Sequence, residues 1–87
     1  MPDSTPAARL RALLARDQLQ LMPCCFDALS ARLIAQAGFP LTFMSGFAVS
    51  AARLALPDTG LITVTEMLDQ GRSICQAVDI PVIGDGD

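Results

Sequence analysis

Histidine, lysine, tryptophan and tyrosine are all absent from this chain of 87 residues, and their absence removes whole classes of function. Without histidine, no Ser-His-Asp or Cys-His device can be assembled from these residues. Without lysine, six arginines carry all the side-chain positive charge against nine acids, for a net charge of −3. No basic stripe alternates with aromatics, so nucleic acid is not the expected partner. No apolar run approaches the ~18 residues that cross a bilayer. The N-terminal stretch MPDSTPAARLRALLARD has neither the apolar core nor the cleavage site of a signal peptide, and a cytoplasmic protein without membrane contact is expected. The three cysteines form no framework. Cys24 and Cys25 are adjacent, Cys75 lies far away, and there is no CxxC, so reduced thiols are expected. What chemistry the chain has must rest on carboxylates, backbone amides or a metal.

What is present is apolar. The chain is 52% hydrophobic and 17% charged, with a mean hydropathy of +0.45. A domain of this size has proportionally much surface to cover with polar groups. The excess therefore points to strands buried on both faces, or to a surface that meets more protein.

The pattern alternates. Thr5-Pro6 reads as an N-cap and first helical position, opening a helix with Leu10, Leu13 and Leu14 on one face and an end near Asp17. LQLMPCCF (19–26) is an apolar run interrupted by Pro23 and reads as a buried strand. Asp27 caps a second helix, ALSARLIAQA, with Leu29, Leu33 and Ile34 expected inward and a stop at Gly38. LTFMSG (41–46) reads as a strand, FAVSAARLAL (47–56) as a helix and LPDTG (56–60) as a turn. Thr63 and Glu66 have capping-box spacing and open a helix whose apolar face is Met67, Gly71, Ile74, Cys75 and Val78. Pro81 then releases the chain into the strand PVIGD. Strands separated by helices predict an α/β fold with a parallel sheet.

In such folds ligands bind beyond the carboxyl ends of the strands. Here those ends are Cys25-Phe26-Asp27, Ser45-Gly46-Phe47 and Asp85-Gly86-Asp87. Asp85 and Asp87, spaced i and i+2 between small glycines, are either an acidic surface turn or oxygen ligands for a hard cation such as Mg²⁺. Ser45-Gly46-Phe47 is either a simple helix cap or a cradle for a carboxylate or phosphate at a helix start. Asp58 reads as a turn former between Pro57 and Thr59-Gly60. Asp27 reads as an N-cap. Cys24 and Cys25 have no basic neighbour in sequence to activate them and read as inert.

Taken in order, FDALSARL (26–33), AGF (37–39), MSGFAVSA (44–51), LPDTGLITVTE (56–66) and PVIGDGD (81–87) resemble the isocitrate lyase/phosphoenolpyruvate mutase superfamily. Among its members the chain looks most similar to the small lyases of 2-hydroxy diacids: the methylisocitrate, dimethylmalate and petal-death branch. The resemblance implies that residues 1–87 form the N-terminal part, about three β/α units, of a single (β/α)8 TIM-type barrel domain, breaking off after the paired aspartates. It implies Mg²⁺, with Mn²⁺ as a substitute, held at Asp85 and Asp87. Ser45, Gly46 and Phe47 would hold a small carboxylate substrate, and Asp58 would join the catalytic set on the loop beside the metal. The implied reaction is carbon–carbon cleavage of a methylisocitrate- or alkylmalate-like acid through an enolate-like species, in a homo-oligomer, commonly a tetramer, when full length. The family's later glutamate of the metal shell, its KKCGH segment and its substrate-binding arginine have no counterpart here, and Cys24, Cys25 and Cys75 match none of them. A barrel of this kind takes ~250 residues, so the 87-residue piece alone is expected to be inactive. Other reactions of the superfamily (oxaloacetate hydrolysis or decarboxylation, phosphonate mutation) are the alternative, as is a non-catalytic α/β interaction module.

Overall fold

The computed structural model describes residues 5–57 and 62–85. The order of elements is α1 (Pro6–Leu14), β1 (Cys24–Cys25), α2 (Ala28–Gln36), β2 (Thr42–Met44), α3 (Gly46–Leu54), α4 (Val64–Ala77) and β3 (Val82–Gly84). The three strands form a parallel sheet in the order β1-β2-β3. Cys25 pairs with Met44, and Met44 with Gly84, so all three chains leave the sheet at the same end.

Local chemistry sets most helix boundaries. Thr5 Oγ1 accepts from Ala8 N–H ahead of Pro6. Asp27 Oδ1 accepts from Ser30 N–H at 2.8 Å while Ser30 Oγ accepts from Asp27 N–H, a reciprocal cap. Thr63 and Glu66 form the second such box. After α2 the chain reverses through Gly38 at φ +95°, a left-handed position that costs glycine nothing, with Gly38 and Phe39 amides closing on Ala35 and Ile34 carbonyls.

The core lies between the sheet and the helices and comprises Cys25, Ala31, Met44, Val49 and Ile74, with Ile34, Ile62, Met67, Val78 and Val82 packed around it. Thr42 is also fully buried, its hydroxyl donating to Pro23 O at 2.8 Å.

Several sequence expectations change. The first helix ends at Leu14, not near Asp17. The strand expected over 19–26 shrinks to Cys24–Cys25, because its partner β2 is only three residues long and the ladder ends with it; Leu19 and Leu21 lie exposed. On α2, Ile34 packs against the core as expected, but Leu29 and Leu33 point outward and Ala31 is buried in their place. α2 packs against α4, and Leu29 and Leu33 remain exposed. Cys75, expected on the apolar face of α4, is likewise exposed, whereas Ile74 is buried as expected.

Candidate active site

The carboxyl ends of the three strands gather residues from across the sequence. At β1, Asp27 is committed to its capping box. At β2, Ser45 caps α3: its Oγ accepts from Ala48 N–H at 3.2 Å, and its own N–H donates to Cys25 O at 3.1 Å, tying the end of β2 to that of β1. At β3, Asp85 is half-buried, and its Oδ2 accepts from Gly46 N–H at 3.1 Å, a contact between positions 39 residues apart. The cap of α3 and the acid after β3 therefore form one site. Gly46 is buried within it, while Phe47 is exposed at its edge. The leading amides of α3 are thus divided. Gly46 serves Asp85, Ala48 and Val49 serve Ser45, and the Phe47 N–H has no partner among the described residues. Asp58 and Asp87 lie outside the described residues.

Three residues not anticipated from the sequence tie together the segments that surround the sheet. Ser50, fully buried, donates to Leu56 O at 3.0 Å and to Pro57 O at 3.2 Å, fixing the chain immediately before Asp58. Gln70 on α4 donates to Phe26 O at 2.7 Å, at the exit of β1. Arg53 reaches from α3 to Asp69 at 2.8 Å and to Gln70 Oε1 at 3.2 Å on α4. A serine on the buried side of a helix was the one signal for Ser50. Gln70 and Arg53 carried none, since their partners are set by how the helices cross.

The donor set suits a hard cation. Asp85 is a carboxylate at a strand end, already supported by an amide, and Mg²⁺ is usually held by one or two protein carboxylates with waters completing the shell. Among the described residues no three His, Cys, Asp or Glu side chains cluster around a common point, so Asp85 enters as part of a site and not as a whole one. Cys25 is disfavoured as a nucleophile: it is fully buried, and burial pushes its thiol above its ordinary value, against smaller lowering by Thr42. No described helix is long and apolar enough to cross a membrane.

The model of the family described as phosphoenolpyruvate phosphomutase matches residues 10–87. The chain belongs to that family, within the isocitrate lyase/PEP mutase superfamily. It is 44% identical over 87 residues to the chloroplastic carboxyvinyl-carboxyphosphonate phosphorylmutase of Arabidopsis thaliana, covering 99% of this chain and 26% of that one. It is 40% identical over 81 residues to the 2,3-dimethylmalate lyase of Eubacterium barkeri, covering 93% and 28%. Among solved structures, phosphonopyruvate hydrolase in complex with oxalate and Mg²⁺ superposes with a TM-score of 0.89 at 36% identity, over 95% of this chain and 29% of that one. The chain thus spans between a quarter and a third of the length of these relatives. Its fold is the N-terminal part of the superfamily's TIM barrel, and the superfamily comprises Mg²⁺-dependent lyases and mutases acting on carboxylates.

Proposed function

We propose that this chain supplies the metal and carboxylate-binding part of a Mg²⁺-dependent carbon–carbon lyase for a small 2-hydroxy dicarboxylate or tricarboxylate of the methylisocitrate or alkylmalate type. The observation that carries the reading is the hydrogen bond between Gly46 and Asp85, which brings the end of β3 against the cap of α3. Asp85 and Asp87 hold the cation, Mg²⁺ or Mn²⁺. When bound there it supplies Lewis-acid charge, which stabilises an enolate-like oxygen in a cleavage of this type. The Ser45 hydroxyl and the Phe47 amide hold a substrate carboxylate, and side-chain-free Gly46 lets it approach. Asp58, on the loop whose start Ser50 fixes, helps orient substrate or water. The isolated 87-residue chain is not a competent catalyst in this proposal, and the complete enzyme is a homo-oligomer.

A second reading keeps the same residues and changes the reaction. Similarity to the oxaloacetate decarboxylase of Paraburkholderia xenovorans, 37% over 84 residues, and to the phosphonopyruvate hydrolase structure supports a hydrolase or decarboxylase.

A graft separates these outcomes. Residues 1–87 replace the matching segment of the E. barkeri 2,3-dimethylmalate lyase, and the product is assayed with alkylmalates, oxaloacetate and phosphonopyruvate. The lyase proposal expects Mg²⁺-dependent carbon–carbon cleavage, lost in Asp85→Ala. A folded graft active only on oxaloacetate or phosphonopyruvate supports the second reading. A folded graft with no activity contradicts both.

A further inference from the structure

Phe26 leaves the sheet with both of its backbone groups held by side chains. Its N–H donates to Ser30 Oγ at 3.0 Å, and its carbonyl accepts from Gln70 Nε2 at 2.7 Å. The second contact joins α4 to the exit of β1 across 44 positions of sequence. The other end of the Gln70 amide is engaged as well, its Oε1 accepting from Arg53 at 3.2 Å. Turning the amide over would set its oxygen against the Phe26 carbonyl and its nitrogen against the guanidinium. One orientation therefore satisfies both partners.

Arg53 is the penultimate residue of α3, the helix that Ser45 caps. This helix is consequently tied to β1 near both of its ends, and to neighbouring carbonyls. At its start the Ser45 N–H donates to Cys25 O at 3.1 Å, and near its finish Arg53 reaches Phe26 O through Gln70. Arg53 also grips Asp69 at 2.8 Å, but among the described residues only Gln70 carries a hydrogen bond from α4 on to β1. A helix of nine residues fixed at one end can pivot, and fixed at both it has a set tilt. We infer that Gln70 is a positioning residue for the Ser45 hydroxyl: by joining Arg53 to the exit of β1 it sets the tilt of α3. This rests on the carboxylate assignment proposed above. Gln70 itself touches neither substrate nor cation. Its loss weakens the hold on a carboxylate that is bound alike before and during reaction, so KM rises while kcat stays.

Two substitutions separate the arms of the amide. Gln70→Met removes both hydrogen bonds at similar length. Gln70→Glu keeps an acceptor for Arg53 but sets a carboxylate oxygen against the Phe26 carbonyl. Both are made in the graft described above and assayed on whichever of its substrates it turns over. Each should raise KM about five- to tenfold, the scale of one lost hydrogen bond, with kcat unchanged. Wild-type kinetics in Gln70→Glu would mean that the Arg53 contact suffices, and would overturn the inference. A fall in kcat with KM unchanged also overturns it.

A second measurement needs no turnover. In the 87-residue chain, hydrogen exchange at the Ser45 amide should rise about fivefold in Gln70→Met. The Thr42 amide, which donates to Pro81 O at the other end of β2, should exchange as in the wild type. Equal rises at both amides signal general destabilisation and overturn the inference, as does an unchanged Ser45. A rise confined to Ser45 beside an inactive graft supports the tie through Gln70 and places the failure on the proposed function.

Discussion

The Glu66 carboxyl is held below its ordinary value of 4.5, first by the Thr63 N–H donating to its Oε1 at 2.9 Å, then by the Thr63 hydroxyl, with Arg53 adding a smaller share. A carboxyl whose folded-state value is lowered contributes stability above its unfolded value and loses it as pH falls through the folded one. The capping box of α4 is therefore complete at neutral pH and fades below about pH 4.5. Glutamine keeps the shape of the box without titrating. Thermal melts from pH 7 to pH 3 should show a shallower acid loss for Glu66→Gln than for the wild type. Identical slopes would mean that Glu66 contributes nothing that depends on its charge. At this scale the sequence is highly legible. The caps at Thr5, Asp27 and Thr63 are each built within three or four residues, so their spacing alone reveals them.

The elements are held by two kinds of contact with very different weights. Ile74 is fully buried where α4 meets the core. Arg53 links α3 to α4 from the surface, with the Asp69 side chain more than half exposed. Truncating a buried isoleucine costs about 2–5 kcal/mol, whereas an exposed ion pair contributes about 0–1 kcal/mol. Urea denaturation should accordingly show Ile74→Ala losing most or all of its cooperative transition and Arg53→Ala shifting it slightly. A larger effect from Arg53 would mean that the α3–α4 clamp, not the core, sets stability. Element boundaries and facing were less legible than the caps. How far β1 runs depends on the length of β2, and which side of α2 is inside depends on where α4 crosses it, so neither is written in the local pattern. Leucines at helical spacing, such as Leu29 and Leu33, signal an apolar side without saying what covers it.

The whole molecule is open for its mass. It exposes 5769 Å², against about 4,900 Å² expected of a compact 9.2 kDa monomer. Its radius of gyration of 13.3 Å likewise exceeds the roughly 12 Å expected for this length. The outer edges of β1 and β3 have no partner strand among the described residues, and Leu14, Leu19, Leu21, Leu29 and Leu33 are exposed. These features agree with a chain that corresponds to 29% of a solved TIM-barrel relative. The site has the same character. The sequence singled out Ser45, Gly46 and Asp85 separately, but only the parallel order of β2 and β3 sets the amide of one against the carboxylate of another. The central claim is that a hard cation binds at this end of the sheet. The measurement that tests it most directly is an amide-resolved NMR titration of the 87-residue chain with Mg²⁺. The account predicts saturable shifts at Ser45, Gly46, Phe47 and Asp85 that disappear in Asp85→Ala. Shifts centred instead on the acids of α4, Glu66 and Asp69, or none that saturate, would contradict it.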